Sequence, residues 1–282
     1  MAATGGVHYV QPPKVPILTA QGTGLGMWDQ IPPQPAYIAN YAPPELAIWQ
    51  PLGNYPASIF NPPMGVSAQM LADEFVRILT EVYHGVFAVE VYSQSAVAWS
   101  HVWRDEILSK NGKLYGRASD MLFTIALGNP CRCPGVANGN AWAGWPMPGK
   151  IDGVTTGGIA GADDLKPNEV PANFYDFVNT TGPGAGSSAL YEMAPVGDNP
   201  WSALVPVGVV ENSIYKAVME QSFGSILAIA EDLMQPIGVV EGIINGFKFL
   251  GAGAAADHYT YPTEGPIALQ NWCLANYAAT YA

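Results

Sequence analysis

Positively charged residues are scarce in this sequence. Lysine and arginine together number 11, against 23 aspartate and glutamate residues, so the formal net charge is −12. A chain with so few basic residues cannot build the patch that neutralises phosphate groups, which argues against a nucleic-acid partner. An anionic polymer recognised through its charge is disfavoured for the same reason. We therefore expect a neutral or apolar substrate.

Cysteine is also scarce, with only Cys131, Cys133 and Cys273 present. An odd number, two of them in a tight Cys-Arg-Cys, does not make a disulfide framework, and we expect reduced thiols. The four histidines are scattered along the chain and form no familiar zinc-ligand spacing with the cysteines. The sequence thus predicts neither a metal site nor a cofactor.

A long uninterrupted apolar run is missing as well. The most apolar region, residues 223–255, is interrupted by charged and helix-breaking residues, namely Glu231, Asp232, Pro236 and Glu241. Such a segment does not make an ordinary membrane span. The first 20 residues lack the basic start and apolar run of a secretory signal. We expect a soluble protein without a transmembrane segment.

Apolar residues and glycine are abundant. Apolar side chains make up 49% of the 282 residues, enough for a sizeable core, and the 31 glycines and 25 prolines indicate a loop-rich surface. The length predicts one large domain, or one domain with an embedded subdomain.

Strand-like and helix-like segments alternate along the chain. Helical periodicity, with Ser67 as the expected N-cap of the first helix, covers residues 67–83 and 96–108. Short apolar runs typical of buried strands occupy residues 15–20, 86–91, 121–127 and 174–178. This alternation predicts an α/β fold with a mostly parallel sheet covered on both faces.

The intervening segments are of three kinds. Residues 32–63 form a proline-rich stretch that we expect at the surface, and residues 131–170 predict an ordered loop that buries Trp142 and Trp145. The Gly/Ser-rich segment 180–189 predicts a loop, and residues 208–250 have a helical pattern.

The segment Glu-Val-Tyr-Ser-Gln-Ser-Ala, residues 90–96, carries the chemistry. A strand that leads into Ser93 and then directly into a helix is the setting of a nucleophile elbow. The sharp turn exposes the serine oxygen, and the backbone N–H of Gln94 points to where an oxyanion would form. Glycine usually stands two positions on either side of the serine, but here Val91 and Ser95 do.

Chain order selects the general base. In an α/β-hydrolase the nucleophile is followed by the acid and then by histidine. Only His101 and His258 follow Ser93. His101 falls within the helix that leaves the elbow, where it would point along that helix, whereas His258 occurs in a loop-like segment near the C-terminus. The prediction is therefore His258.

Several carboxylates lie between Ser93 and His258. Asp198 follows a glycine at a predicted turn, as expected for a carboxylate on a loop after a strand, and it is our first choice. Asp176, within a predicted strand, is the alternative. Asp163 and Asp164 occur in a polar loop, where we expect them to be solvated, and Glu192 is a poorer choice.

A second oxyanion donor is expected after the first strand. In Gly22-Thr23-Gly24 the flanking glycines allow the N–H of Thr23 to approach the reaction centre closely. The segment lacks the endings of the known phosphate-binding loops, which disfavours a nucleotide ligand.

With these residues in place, the sequence resembles the lysin B esterases of mycobacteriophages, which are related to cutinases. The resemblance covers roughly residues 15–280. It is carried by Trp-Gln-Pro-Leu-Gly-Asn-Tyr-Pro-Ala at 49–57, Val-Tyr-Ser-Gln-Ser-Ala at 91–96, Gly-Asn-Pro at 128–130 and Gly-Asp at 197–198. The sequence departs from the family at Val91 and Ser95, and at Gln21, where the family usually has histidine.

The resemblance implies a cutinase-like α/β-hydrolase core over residues 1–204 and 256–282, and a helical insertion over 205–255. It also implies a triad of Ser93, Asp198 and His258. The implied reaction is hydrolysis of the ester between mycolic acids and arabinogalactan, by a phage-encoded protein made in the host cytoplasm and acting at the cell envelope. The alternatives are a cutinase-like or lipase-like esterase acting on shorter lipids and a catalytically inert hydrolase fold.

Overall fold

Most of the N-terminal two thirds of the chain and its last helix are described in a computed structural model. The described residues are 12–58, 61–148, 150–151, 154–180, 194–195, 215, 219 and 261–281. Apart from Tyr215 and Met219, the predicted insertion at 205–255 lies outside them, and so do Asp198 and His258.

Parallel strands form the main sheet. The strands of the described residues are β1 (Val15–Ala20), β2 (Ala47–Pro51), β3 (Phe87–Tyr92), β4 (Met121–Leu127), β5 (Lys150–Ile151), β6 (Val154–Gly157), β7 (Phe174–Phe177) and β8 (Ala194–Pro195). Five of them make a parallel sheet in the order β2-β1-β3-β4-β7, and β5, β6 and β8 make a small antiparallel sheet. All four predicted strands are confirmed.

The strand order reverses between β1 and β3. From β1 the chain first builds β2 on one side and then returns to place β3 on the other. In open α/β sheets a crevice forms at such a switch point, beyond the carboxyl ends of the strands. Thr23 follows the end of β1 and Ser93 follows the end of β3, so both residues lie at this crevice.

Helices cover both faces of the sheet. They are α1 (Pro35–Ala39), α2 (Met64–Glu81), α3 (Gln94–His101), α4 (Asn140–Ala143) and α5 (Glu264–Ala279), and a π-helical segment (Val102–Leu108) continues α3. One apolar cluster joins α2 and α3 to the sheet through Phe75, Val91 and Trp99. A second joins α1 and α5 to the opposite face. Side chains that alternate along β3 belong to the two clusters in turn, as the pleat of a strand requires.

Two predictions about residues 32–67 were wrong. The proline-rich stretch is not all surface, because it contains α1, β2 and the buried Ile38. These elements are short, and β2 is an edge strand, where Pro51 is tolerated, so neither has a clear sequence pattern. Ser67 is not an N-cap, because α2 already begins at Met64, and its buried hydroxyl instead accepts a hydrogen bond from the Ser58 N–H at 3.3 Å.

Among the helices that the structure describes, none has both the length and the apolar character needed to cross a membrane. The cysteines Cys131, Cys133 and Cys273 are free and buried.

Candidate active site

Ser93 occupies a strained turn between β3 and α3. Its backbone has φ 56° and ψ −117°, a conformation that an L-residue rarely adopts and that costs of order 1–3 kcal/mol. Its N–H extends the sheet by donating to the Leu127 carbonyl at 3.0 Å, and its carbonyl starts the helix by accepting from the Ala96 N–H at 2.9 Å. The sheet and the helix together hold the strain. This is the geometry of a nucleophile elbow, as the sequence predicted.

Gln94 is the first residue of α3. The first N–H groups of a helix have no partner within the helix, so the Gln94 N–H can serve an oxyanion. The helix dipole adds positive potential at the same end.

The two residues that replace the elbow glycines are accommodated by different means. Val91 is fully buried, and its partners in the neighbouring strands are Ala20 and Ala126, whose small side chains leave room for it. Ser95 is also fully buried; its hydroxyl lies 2.7 Å from the Ala20 carbonyl and accepts from the Tyr92 N–H at 2.8 Å. Ser95 therefore ties the end of β1 to the elbow.

We expect Ser95→Ala to lower the free energy of unfolding by about 1–3 kcal/mol, because it leaves buried backbone groups without their hydroxyl partner. Urea unfolding, compared with the exposed control Ser119→Ala, measures this difference. A loss no larger than that of the control would show that the hydroxyl does not stabilise the turn.

The loop after β1 lies against the elbow. A side chain at Gly22 would overlap the ring of Tyr92, so glycine is needed where the two segments meet. Thr23 follows in the chain and is half-buried. The structure thus brings the segment that carries Thr23 next to the turn that carries Ser93.

Gln21 holds this loop in place. Its side-chain amide donates to the Asp29 carbonyl, and its side-chain oxygen lies 3.5 Å from the Ala36 N–H at the start of α1. The Gly22 N–H donates to the Gln34 side chain at 3.3 Å. The Gln21 side chain thus connects the start of the loop to Asp29 and to the first turn of α1.

Asp176 lies in the core below the carboxyl edge of the sheet. Its position in β7 is level with Ala126 of β4, it is fully buried, and its Oδ1 accepts from the Asn129 Nδ2 at 2.9 Å. Burial raises the pKa of Asp176 to about 7, although the Asn129 hydrogen bond and the charge of Arg132 act in the opposite direction. Its described contacts belong to the loop that follows β4.

The expectation that Asp163 and Asp164 are solvated was wrong for Asp164, whereas the Asp163 side chain is 37% exposed but also forms ion pairs. Asp163 pairs with His101 at 3.0 Å and with Arg104 at 3.1 Å, and it accepts from the Tyr215 hydroxyl at 3.2 Å. The hydrogen bond from His101 is the main reason why the pKa of Asp163 is held well below its usual range. Asp164 is 1% exposed, and burial raises its pKa to about 8. Sequence alone could not show that α3 passes over this loop.

Of the predicted catalytic groups, the structure describes Ser93, Gln94 and Thr23. Asp198 and His258 lie outside the described residues, and so do the weaker candidate Glu192 and the Gly/Ser-rich segment 181–189.

Aromatic residues line the surface near α5 and β2. Trp142 and Trp145 are half-buried, with ring contacts to Trp272 at 5.4 Å and to Tyr261 at 5.6 Å. Both tryptophans are packed, but their burial is incomplete, and the predicted loop at 131–170 contains α4, β5 and β6. Trp28 packs edge to face on Trp49 of β2, with ring centroids 5.7 Å apart, and is 62% exposed.

Residues 55–58 contact both the elbow and the loop after β1, which was not predicted from the sequence. Tyr55 donates its hydroxyl to the Gln21 carbonyl, the Gly24 N–H donates to the Ala57 carbonyl at 2.8 Å, and the Gln94 side chain donates to the Ser58 carbonyl at 2.7 Å. The distinctive segment at 49–57 was the available signal, but its contact with the elbow appears only in the tertiary structure.

Comparisons with known proteins agree with this fold. Endolysin B of Mycobacterium phage D29 and endolysin B of Mycobacterium phage L5 are each 32% identical to this chain over 133 residues, which is 45% of this chain and 50% of each relative. The chain therefore matches about half the length of these curated relatives. No family model matches.

Among solved structures, lysin B from mycobacteriophage D29 superposes with a TM-score of 0.59 at 25% identity, covering 85% of this chain and 88% of that one. A cutinase-like protein from Cryptococcus sp. gives a TM-score of 0.45 at 14% identity, covering 75% of this chain and 98% of that one. The chain is thus similar to the mycobacteriophage lysin B proteins over part of their length, and its fold is that of an α/β-hydrolase.

Proposed function

We propose that this chain is a serine esterase that cleaves the ester between mycolic acids and arabinogalactan in the mycobacterial envelope. The single observation that carries the proposal is the strained conformation of Ser93 at φ 56°, between a buried strand and a helix. A strained non-glycine residue at such a junction has a cost in stability, and it exposes the hydroxyl beside the helix N-terminus.

The described neighbours of His258 support its role as the general base. Tyr261 packs edge to face on Tyr92, the residue before Ser93, with ring centroids 6.0 Å apart. His258 precedes Tyr261 by three residues, and three residues of extended chain span at most about 11 Å. The length of chain between Tyr261 and His258 is thus compatible with a contact between the imidazole and Ser93.

The position of Pro195 supports Asp198 as the acid. Pro195 pairs with Thr156 of β6, and the neighbouring Gly157 carbonyl accepts from Arg132 at 3.1 Å in the loop after β4. Since β4 lies next to β3, this fixes the chain near the carboxyl edge of the sheet three residues before Asp198.

The proposed reaction is acyl transfer in two steps. His258 takes the proton of Ser93 as the serine oxygen attacks the ester carbonyl, and the N–H groups of Gln94 and Thr23 stabilise the oxyanion. The sugar alcohol leaves with that proton. Water, deprotonated by His258, then releases the mycolic acid and restores Ser93. Asp198 orients the imidazole and stabilises its charged form.

Charge and resemblance support the choice of substrate. The net charge of −12 disfavours an anionic polymer, whereas a mycolate ester presents long apolar chains. The relatives are endolysins of mycobacteriophages. We accordingly propose a phage-encoded protein that acts on the host envelope after release from the cytoplasm.

Purified mycolyl-arabinogalactan tests the substrate directly. We expect the wild-type protein to release free mycolic acids, detected by mass spectrometry, and Ser93→Ala to release none. Hydrolysis of p-nitrophenyl butyrate and p-nitrophenyl palmitate, measured in parallel, reports ester cleavage independently of the wall.

The same assays distinguish the alternatives. Cleavage of the p-nitrophenyl esters without release of mycolic acid would favour a cutinase-like or lipase-like esterase for shorter lipids. A wild-type protein inactive on every ester and unreactive with a fluorophosphonate would favour a catalytically inert fold, because only an activated serine reacts quickly.

A further inference from the structure

One short loop makes contact with both sides of the proposed oxyanion site. This bracket loop, residues 52–58, follows β2. The Leu52 N–H donates to the Thr19 carbonyl at 2.8 Å, near the end of β1, so the loop begins at the strand that leads to Thr23. Its later residues reach the elbow.

Two bonds hold the Thr23 side. The Tyr55 hydroxyl donates to the Gln21 carbonyl, and the Ala57 carbonyl accepts from the Gly24 N–H at 2.8 Å. These contacts lie two residues before and one residue after Thr23. Fixing the peptide groups on both sides limits the rotation of the Thr23 N–H, which is the property that an oxyanion donor requires.

One bond holds the Ser93 side. The Gln94 Nε2 donates to the Ser58 carbonyl at 2.7 Å, next to the Ala57 that contacts Gly24. Gln94 is 1% exposed, and within the described part of the chain its Oε1 has no hydrogen-bond partner. The Gln94 side chain thus joins the elbow to the bracket loop through its amide group.

The bracket loop is itself strained. Asn54 has φ 62° and Ala57 has φ 49°, left-handed conformations that are uncommon for residues other than glycine. Such strain persists only where surrounding contacts impose it, and it is concentrated at functional sites.

We infer that the bracket loop sets the spacing of the two oxyanion donors, with Tyr55 and the Gln94 side chain as positioning residues. This inference rests on the proposed function. Because oxyanion stabilisation acts in the transition state, loosening the loop lowers kcat and leaves KM unchanged.

Two conservative variants test the inference. Tyr55→Phe removes the hydrogen bond from the Tyr55 hydroxyl to the Gln21 carbonyl. Gln94→Met removes the hydrogen bond from Nε2 to the Ser58 carbonyl, and it also removes the buried Oε1. On p-nitrophenyl butyrate we expect kcat to fall by roughly tenfold to hundredfold, with KM near its wild-type value. Tyr55→Phe should also lower Tm modestly, because the buried Gln21 carbonyl loses its hydroxyl partner. The dissociation constant of phenylboronic acid, which forms a tetrahedral adduct with the serine, should rise by a similar factor. Tyr37→Phe, which removes a hydroxyl from the Tyr37–Tyr41 pair, is the matched control.

The outcomes separate the two proposals. An active wild type with both variants equal to wild type in kcat would overturn the inference and leave the esterase in place. A fall in Tm together with unchanged affinity for phenylboronic acid would also overturn it, because the residues would then serve only folding. A wild type that neither cleaves esters nor reacts with fluorophosphonate would overturn the proposed function and the inference together.

Discussion

Ser93→Ala is expected to abolish ester hydrolysis, with a fall in kcat of about three orders of magnitude or more. Alanine lacks the nucleophilic hydroxyl but keeps the Cβ atom, so the backbone at φ 56° is no more strained than with serine. The hydrogen bonds that hold the turn, from the Ser93 N–H to Leu127 and from the Ala96 N–H to Ser93, are between backbone groups and do not involve the hydroxyl. The fold should therefore be unchanged, with Tm close to that of the wild type.

Initial rates on p-nitrophenyl butyrate, together with fluorophosphonate labelling followed by mass spectrometry, measure this effect. Ser119→Ala is the matched control, since Ser119 is exposed and precedes β4 at the opposite end of the sheet. Undiminished hydrolysis by Ser93→Ala, or a label found on another serine, would remove Ser93 from the mechanism.

The second large effect concerns the acid. We expect Asp198→Asn to lower kcat by about three to four orders of magnitude, because the imidazole loses the carboxylate that orients it and stabilises its charge. Asp176→Asn should retain nearly full activity. The amide of the new asparagine keeps an oxygen that can accept the hydrogen bond from Asn129. The side chain that it replaces is buried in the core.

The pH dependence of Asp176→Asn has a definite sign. An unfolded aspartate has a pKa of about 4, whereas burial raises the pKa of Asp176 to about 7. The folded protein therefore holds this proton more tightly than the unfolded chain. The carboxyl opposes folding increasingly as pH rises from about 4 to about 7, and the penalty is complete above the folded pKa.

Asp176→Asn should accordingly raise the free energy of unfolding at pH 8 by roughly 1–3 kcal/mol, with little gain near pH 4. Urea unfolding at the two pH values, combined with initial rates at pH 8, measures both properties. Should Asp176→Asn lose activity while Asp198→Asn retains it, the acid would be Asp176.

Local pattern was sufficient to predict the strands of the main sheet that are buried on both faces. β1, β3, β4 and β7 are short apolar runs bounded by turn residues, and such runs have few other stable arrangements. β2 was missed because an edge strand that contains Pro51 does not show that pattern. The helix at 64–81 was predicted from its periodicity, but its start was placed three residues late, at Ser67.

Individual site residues differ in how far sequence could predict them. Ser93 was found because the elbow is local, a strand, one residue and a helix in succession. Ser95 was expected only to be tolerated, because its bond to the Ala20 carbonyl joins segments 75 residues apart. The ion pair of Asp163 was not predicted for the same reason, since its partner His101 lies 62 residues away.

The sequence by itself determined the α/β class, the buried strands and the nucleophile turn, because each depends on residues adjacent in the chain. Only the tertiary structure decided the order β2-β1-β3-β4-β7, the accommodation of Val91 between Ala20 and Ala126, and the contact of the bracket loop with both sides of the oxyanion site. These features depend on which strands become neighbours and on how closely their ends approach. Burial of apolar surface over the whole chain decides which strands become neighbours. No local segment of sequence contains that information.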